Sequence, residues 1–573
     1  MKIRLKWLSV VIAALLCMTA LLAGCAKDGK ETRPEYSEPV VSETENYRWI
    51  DDSAPMVQFG EPADTIVYFD GQERTMSDDI RQLLSCLKAL VNGKEVRLFV
   101  GDNDEAQGIN GWIDRLGYRE RTITMDDPWE VVEYFKDDLS KEVVIYDSTV
   151  METIDLACTY AGINDCLALS FPMYAQLVER GYDVEIVEDY RGRFADKFEA
   201  YSYLYDELWP QCTHRILISE HVDYTGYLRS FGMLIKAASV WLDVRDEREA
   251  EMMAKFVDDM PAGEACIYGW YASEGDGVQF GSERGVWTYA ADWLENIEFF
   301  AHETEIVAPV RSEETFTEAS DVDYGTVYVA LALSEGDNLT FDLASMYNLL
   351  YSDPNFGDFP LSLSISPTSS VMMPEVMNWY YANAGDNIGF MTGPSGVGYT
   401  YTNSWEESNM EGLRQYFATT NKYCKRAGIE VVNNWTASGA WDTKDISDAI
   451  RDLMEAEYTD ILAVVDQGSN TRLTHDNDLL IAPMACGYTQ VTQDMNDIFR
   501  RAIATAVAET EMYKEPTFVY LQGNPWTNRS VQDLWELVQE IERTYPNVKF
   551  VRVDECARAQ RLFWDMQATR GGN

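Results

Sequence analysis

Apolar and polar positions along this chain alternate with the short periods of an α/β protein. Between residues 61 and 320, brief apolar runs such as Thr65–Phe69, Val96–Val100, Glu142–Tyr146 and Val184–Val187 are separated by segments whose apolar residues recur at helical spacing, as Ile80, Leu83, Leu84, Leu87 and Leu90 do. Short apolar runs predict buried strands, and the three-and-four spacing predicts helices between them. Three small α/β domains are expected, over 61–138, 139–225 and 226–320. Within the last, Tyr227–Leu242 reads as a helix and Ala265–Trp270 as a strand that ends on a tryptophan.

From about Asp321 the alternation becomes regular. Strand-like runs fall at Val327–Leu333, Leu361–Ile365, Ile388–Thr392, Ile429–Asn433, Ile461–Val465, Leu479–Pro483, Thr517–Leu521 and Val548–Val553. Helical segments separate most of them: Leu343–Leu350, Pro374–Asn383, Gly412–Ala427, Asp445–Ala456, Met495–Thr510 and Val531–Tyr545. Doubly buried strands alternating with helices predict a parallel sheet. About eight repeats over roughly 250 residues favour a (β/α) barrel-like domain over 321–573, with an open doubly wound sheet as the competing fold. The connection Asp466–Asp478 has no helical pattern, so the barrel is expected to be irregular.

The N-terminus has a different pattern. Lys2, Arg4 and Lys6 precede the mostly apolar run Trp7–Ala23, which is short for a membrane span and suits a signal segment over 1–24. The sequence Leu22-Ala23-Gly24-Cys25 resembles the lipobox of bacterial lipoproteins, which implies cleavage before Cys25 and lipidation on it. Residues 25–60 are polar and read as a flexible tether. The expected location is therefore extracytoplasmic, lipid-anchored to the bacterial cell membrane.

Charge narrows the partners. Lys and Arg total 46 against 96 Asp and Glu, a formal net charge of −50, so nucleic acid is a poor partner and no basic patch serves anionic lipid. The cysteines after Cys25 are too sparse for a disulfide scaffold, and there is no CxxC. The only histidine in the last 250 or so residues is His475, which argues against an imidazole-built zinc site or a Ser-His-Asp hydrolase. HExxH, GxSxG and glycine-rich phosphate loops are all absent, so no cofactor is called for. The remaining metal option is a hard-cation site on the carboxylates of Glu335 and Asp337.

The C-terminal ends of the expected barrel strands are polar, and chemistry belongs there in such a fold. They carry Ser334-Glu335-Gly336-Asp337-Asn338, the run Gly393–Tyr401, Asn433-Asn434-Trp435, Trp441-Asp442, Asp466-Gln467 and Gln522-Gly523-Asn524-Pro525-Trp526. Sugar rings stack on aromatic faces, and their hydroxyls pair with amides and carboxylates. Cleaving a glycosidic bond takes two carboxyl groups. Asp337 is the first candidate, with Glu335 or Asp466 as its partner. Asn338, Ser395, Tyr399, Tyr401, Asn434, Trp435, Trp441, Asp442, Gln522 and Asn524 are candidates for the sugar subsites. The competing structural reading has acids falling in loops by chance, glycines serving tight turns and tryptophans filling the core.

Gly396-Val397-Gly398-Tyr399-Thr400-Tyr401 resembles the signature of the GxGYxYP family of putative glycoside hydrolases. Ser366-Pro367, Pro374-Glu375-Val376 and Gly393-Pro394-Ser395-Gly396 fit the same resemblance, and Ser334-Glu335-Gly336-Asp337-Asn338 is similar to the family's SDGDN. Further upstream, Leu228–Leu242, Gly269-Trp270, Ser282-Glu283-Arg284-Gly285 and Asn296 extend it, so that it spans roughly 60–573. Two positions depart from the pattern: Thr402 stands where the motif ends in proline, and Glu335 stands where SDGDN has its first aspartate. The resemblance implies a carbohydrate substrate and hydrolysis of a glycosidic bond. Two other readings stay open: a non-catalytic glycan-binding surface lipoprotein, and a transporter's substrate-binding lipoprotein built from two similar lobes.

Overall fold

Burial on both faces makes these strands short and apolar, and in a computed structural model they assemble into parallel sheets. The structure describes residues 36–42, 45–71, 76–101, 108–309, 315–437, 446–467, 474–476, 479–485 and 493–571. Residues 40–573 form one compact unit, and 1–39 are a unit apart from it.

The segment expected to be a tether contains a strand pair. β1 (Tyr47–Trp49) and β2 (Val57–Phe59) pair antiparallel, with Tyr47, Met56, Val57 and Phe59 buried. These four apolar side chains interrupt an otherwise polar stretch, and their burial in the main core holds the hairpin in place.

Three small parallel sheets follow. β3 (Ile66–Phe69) lies between β4 (Leu98–Val100) and β5 (Thr122–Met125), and β6 (Glu142–Ile145) between β7 (Leu167–Leu169) and β8 (Glu185–Asp189). The third sheet has the order β10 (Ala237–Val240), β9 (Thr213–Ser219), β11 (Cys266–Gly269), β12 (Trp287–Ala290). β9 falls within the sequence range expected for the second domain but is a central strand of the third sheet. The helix expected over Tyr227–Leu242 covers only Leu228–Leu234. Lys236, at φ 56°, turns the chain, and the fully buried Ala237–Val240 leaves as an edge strand beside β9.

The domains are joined by buried polar groups. Arg229 pairs with Asp155 at 2.7 Å, and the Tyr201 hydroxyl donates to the same carboxylate at 2.7 Å. Asn296 accepts from Val100 N at 2.9 Å and donates to Val100 O at 2.8 Å, tying the third domain to the first sheet. The Trp112 indole donates to Leu343 O at 2.6 Å, fixing the first domain to the C-terminal domain.

The C-terminal domain is barrel-like and irregular. β13 (Val327–Leu333), β14 (Leu361–Ser364) and β15 (Ile388–Met391) form one parallel run, and β16 (Val431–Asn434), β17 (Ala463–Asp466) and β19 (Leu479–Pro483) form another. β18 (Thr474–Asp476), in the connection that lacks helical pattern, adds antiparallel to β19. Single backbone bonds stitch the two runs together: Thr392 N to Val431 O at 3.0 Å, and Ala485 N to the Tyr520 carbonyl of β20 (Thr517–Gly523) at 2.9 Å. β20 then pairs with β13 along its whole length. The irregularity sits at β21 (Val548–Val551), which pairs with the first half of β13 while β14 pairs with its last two residues. Apart from β18 the strands share one direction, so their C-terminal ends open on one side, next to the C-terminal ends of β11 and β12.

Candidate active site

At that opening lies a cavity of about 280 Å³, walled by two domains. The third domain supplies Trp270 after β11, Glu274 at the start of the helix Glu274–Glu283, and Asp292 and Trp293 after β12. The barrel supplies Ser334, Glu335, Asp337 and Asn338 after β13, Pro394 and Tyr399 after β15, Trp435 after β16 and Trp526 after β20. A larger recess of about 410 Å³ lies among the N-terminal domains, where Lys94 and Lys236 mix with Asp138 and Asp165. It holds none of the strand-end acids, and the smaller cavity is the one with chemistry.

The acidic turn after β13 is tightly held. Asn338 N donates to Glu335 O at 2.9 Å, and Asn338 Oδ1 accepts from Phe341 N at 3.0 Å, which starts the next helical segment. Gly336 N donates to Ser364 Oγ at 2.7 Å, and a Cβ on Gly336 would sit 1.9 Å from Ser364 O, so only glycine lets this turn lie on the end of β14. Glu335 takes φ 112°, a conformation costly for a residue with a side chain and one that clusters at functional sites.

Two carboxyl groups share this turn on the cavity wall, Asp337 buried and Glu335 half-buried. Burial, then the neighbouring Asp337 charge, holds the Glu335 carboxyl well above the usual carboxylate range, partly offset by the Trp526 side chain hydrogen-bonding to it. Burial lifts Asp337 to about 7, with Glu274 adding to the shift. Such a pair shares protons and titrates as a unit. Asp292 is raised to about 6 by burial. The Tyr399 hydroxyl donates to Glu274 Oε1 at 3.0 Å and meets the Tyr401 hydroxyl at 3.1 Å. Aromatic rings frame these acids: Tyr399 stands edge-on to Trp435 at 5.6 Å, and Trp293 and Trp526 remain 42% and 43% exposed at the mouth.

Models of the GxGYxYP second domain, third domain and putative glycoside hydrolase C-terminal domain match residues 141–212, 214–302 and 325–561. The chain belongs to the GxGYxYP family. A crystal structure of a putative hydrolase from Bacteroides thetaiotaomicron shares the fold, with a TM-score of 0.72 at 17% identity over 89% of this chain and 97% of that one. A putative polysaccharide deacetylase from Mycobacterium smegmatis aligns over 45% of this chain and 96% of its own at a TM-score of 0.28 and 12% identity, a level that supports no argument. No curated protein matches the chain.

The GxGYxYP loop itself explains why the cavity has two walls. Thr288 of β12 and Tyr399 exchange backbone bonds at 2.9 and 2.7 Å, so the motif pairs with the third domain like an added strand. A Cβ on Gly398 would meet the Trp287 ring at 2.0 Å, so glycine is required for this approach. Where the family motif ends in proline, Thr402 N donates to Trp435 O at 3.0 Å, a bond proline cannot make. The departure thus adds a tie between the loop and β16.

The structure brings Asp337, Glu335, Asn338, Tyr399 and Trp435 together on the cavity wall. Other candidates lie behind it. Ser395 is fully buried and holds the Trp435 backbone, accepting from Trp435 N at 2.9 Å. Tyr401 backs Tyr399. Asn434 donates to Asp466 at 2.8 Å, and Gln467 donates to Gln522 at 2.7 Å, forming a buried polar floor at the strand ends. Asn524 accepts from Trp526 N at 2.9 Å and so orients the rim tryptophan. Trp441, Asp442 and Cys25 lie outside the described residues. The sequence reading did not assign Glu274, Asp292, Trp293 or Trp526 to the site. The signal for the first three was the strand ending at Trp270, because crevices beyond the carboxyl ends of parallel strands bind ligands.

Proposed function

We propose that this protein hydrolyses a glycosidic bond in the cleft between the third domain and the barrel, with Glu335 and Asp337 as the working pair. The observation that carries the reading is the convergence of two neighbouring carboxyls, Asp337 buried and Glu335 half-buried, with five aromatic residues (Trp270, Trp293, Tyr399, Trp435 and Trp526) around one cavity. Glu335, whose carboxyl is held above the usual range by burial and the neighbouring Asp337 charge, can give a proton to the leaving glycosidic oxygen. Asp337, ionised above about 7, can act at the anomeric carbon or activate water. Trp293 and Trp526 offer ring faces to the sugars on either side of the bond broken.

The test is release of reducing ends from a panel of glycans, followed by a pH profile on the best substrate. kcat/KM should rise as pH climbs through about 7, where Asp337 loses its proton. An acid limb near pH 4, the ordinary carboxyl range, would remove Asp337 from the mechanism. Glycan binding without any new reducing ends would leave a binding protein in place of an enzyme.

We also infer an extracytoplasmic location with a lipid on Cys25, supported by the basic and apolar leader and by Leu22-Ala23-Gly24-Cys25. Mass spectrometry of the mature protein should find an acylated N-terminal Cys25, and Cys25→Ala should move the protein out of the membrane fraction. An unacylated chain beginning elsewhere refutes this.

A further inference from the structure

Among the described residues, the cleft wall carries acids and no positive charge. Glu274, Asp292, Glu335 and Asp337 line it, and no Lys, Arg or His joins them among the described residues. Two buried acids elsewhere in the molecule do have cations beside them: Asp155 has Arg229 and Glu295 has Lys88. Asp337 is only 7% exposed, faces the cavity, and accepts no side-chain hydrogen bond from any other described residue. Asp292 likewise lines the cavity with no cation or other side chain on its carboxyl among the described residues, while its carbonyl takes the Thr340 hydroxyl at 2.5 Å and fixes the residue in place. Next to Asp292, Trp293 is held at φ 60° with its ring partly in solvent. Maintaining such a backbone for a bulky exposed ring points to use of that ring.

Unpaired carboxyls and indole faces around one space are the chemistry that recognises an ammonium group. A carboxylate or sulfate on a sugar would instead meet like charges in a low-dielectric cleft. We propose that the cleft selects a glycan bearing a free amino group, with Asp292 and the Trp270 and Trp293 rings holding the ammonium and the Glu335–Asp337 pair at the adjacent bond. The proposal rests on the glycan reading above and adds the substrate's charge to it.

Binding separates the two. Isothermal titration with short β-linked glucosamine oligomers, their N-acetylated forms and uronate-containing oligomers of the same length should rank them in that order. The free-amine form should bind about tenfold tighter than the acetylated one, with the preference falling to about threefold or less in Asp292→Asn. Equal affinity for amine and acetylated forms overturns the proposal, as does tight binding of the uronate. So does an amine preference that survives intact in Asp292→Asn when circular dichroism shows that variant folded. Reducing-end release from uncharged glycans without an amine preference would sink this inference and leave the hydrolase reading standing. Amine-selective binding without cleavage of any glycan would do the reverse.

Discussion

Asp337→Asn is expected to lose about a thousandfold or more in turnover and, at pH 7.5, to melt at a higher temperature than the parent. The first effect follows from removing one of the two carboxyl groups that glycosidic cleavage requires, in a site where such groups contribute about 10²–10⁴ each. The second follows from linkage. Burial raises Asp337 from the ordinary carboxyl range to about 7, so between about pH 4 and 7 the folded protein holds a proton that the unfolded chain has released. Stability from this group is therefore fully present below about pH 4, declines as pH rises, and is gone above about 7. An asparagine carries no such dependence. The variant should match the parent near pH 4 and exceed it at pH 7.5 by an amount on the order of 2–4 kcal/mol, discounted by whatever Glu335 takes over in the coupled pair. Thermal melts at both pH values, beside a reducing-end assay, check it. A variant that is inactive but less stable at pH 7.5 would mean that Asp337 is an ordinary structural acid whose loss disrupts the turn. A variant that is active would take Asp337 out of the chemistry.

A stabilising, inactivating substitution is what a site shaped for reaction leads one to expect. Glu335 sits at φ 112°, and Asp337 is buried with no cation beside it among the described residues. Each feature works against folding and makes sense only through what the group does. Asp51 shows the ordinary treatment: it accepts from Lys422 at 2.5 Å and from the Tyr423 hydroxyl at 3.1 Å, and its carboxyl lies below the usual range.

The eight barrel strands were legible because burial on both faces leaves an unbroken apolar run, and Val327–Leu333 and Leu479–Pro483 appear with the expected ends. The acidic turn and the tyrosine loop were legible because glycines and polar residues cluster where those runs stop. Three things were not. The segment 227–242 has helical periodicity, but tertiary packing recruits Ala237–Val240 into a sheet through a turn at Lys236 that periodicity does not encode. The difference between cavity wall and polar floor depends on side-chain direction at strand ends. Asp337 follows β13 and Asp466 ends β17, yet one lines the cavity and the other accepts from Asn434. The contribution of Glu274, Asp292 and Trp293 depends on docking between domains, which spacing along the chain does not reveal.

Docking tolerances also set the second large effect. Gly336→Ala should cut turnover by about a hundredfold or more while most secondary structure survives. The new Cβ would lie 1.9 Å from Ser364 O, 2.1 Å from Ser364 C and 2.4 Å from Ile365 N, all backbone atoms that no rotamer change can move. Reaching ordinary contact at 3.4 Å requires the turn and the end of β14 to part by about 1.5 Å, the difference between 3.4 and 1.9. Ser366 N to Gly336 O at 2.5 Å and Gly336 N to Ser364 Oγ at 2.7 Å must then stretch, and Glu335 and Asp337, one residue to either side, move with the turn. A misplacement of about 1 Å is enough to cost about 10² in rate, and overpacking costs about 1–3 kcal/mol in stability. Gly357→Ala is the matched control: its φ of 85° penalises alanine by about 1 kcal/mol, but nothing lies within 4 Å of the added carbon. The control should keep its rate. If Gly336→Ala keeps it too, the acidic turn is not held against β14 closely enough for the geometry of the pair to matter, and a mechanism that depends on Glu335 and Asp337 being fixed relative to one another loses its basis.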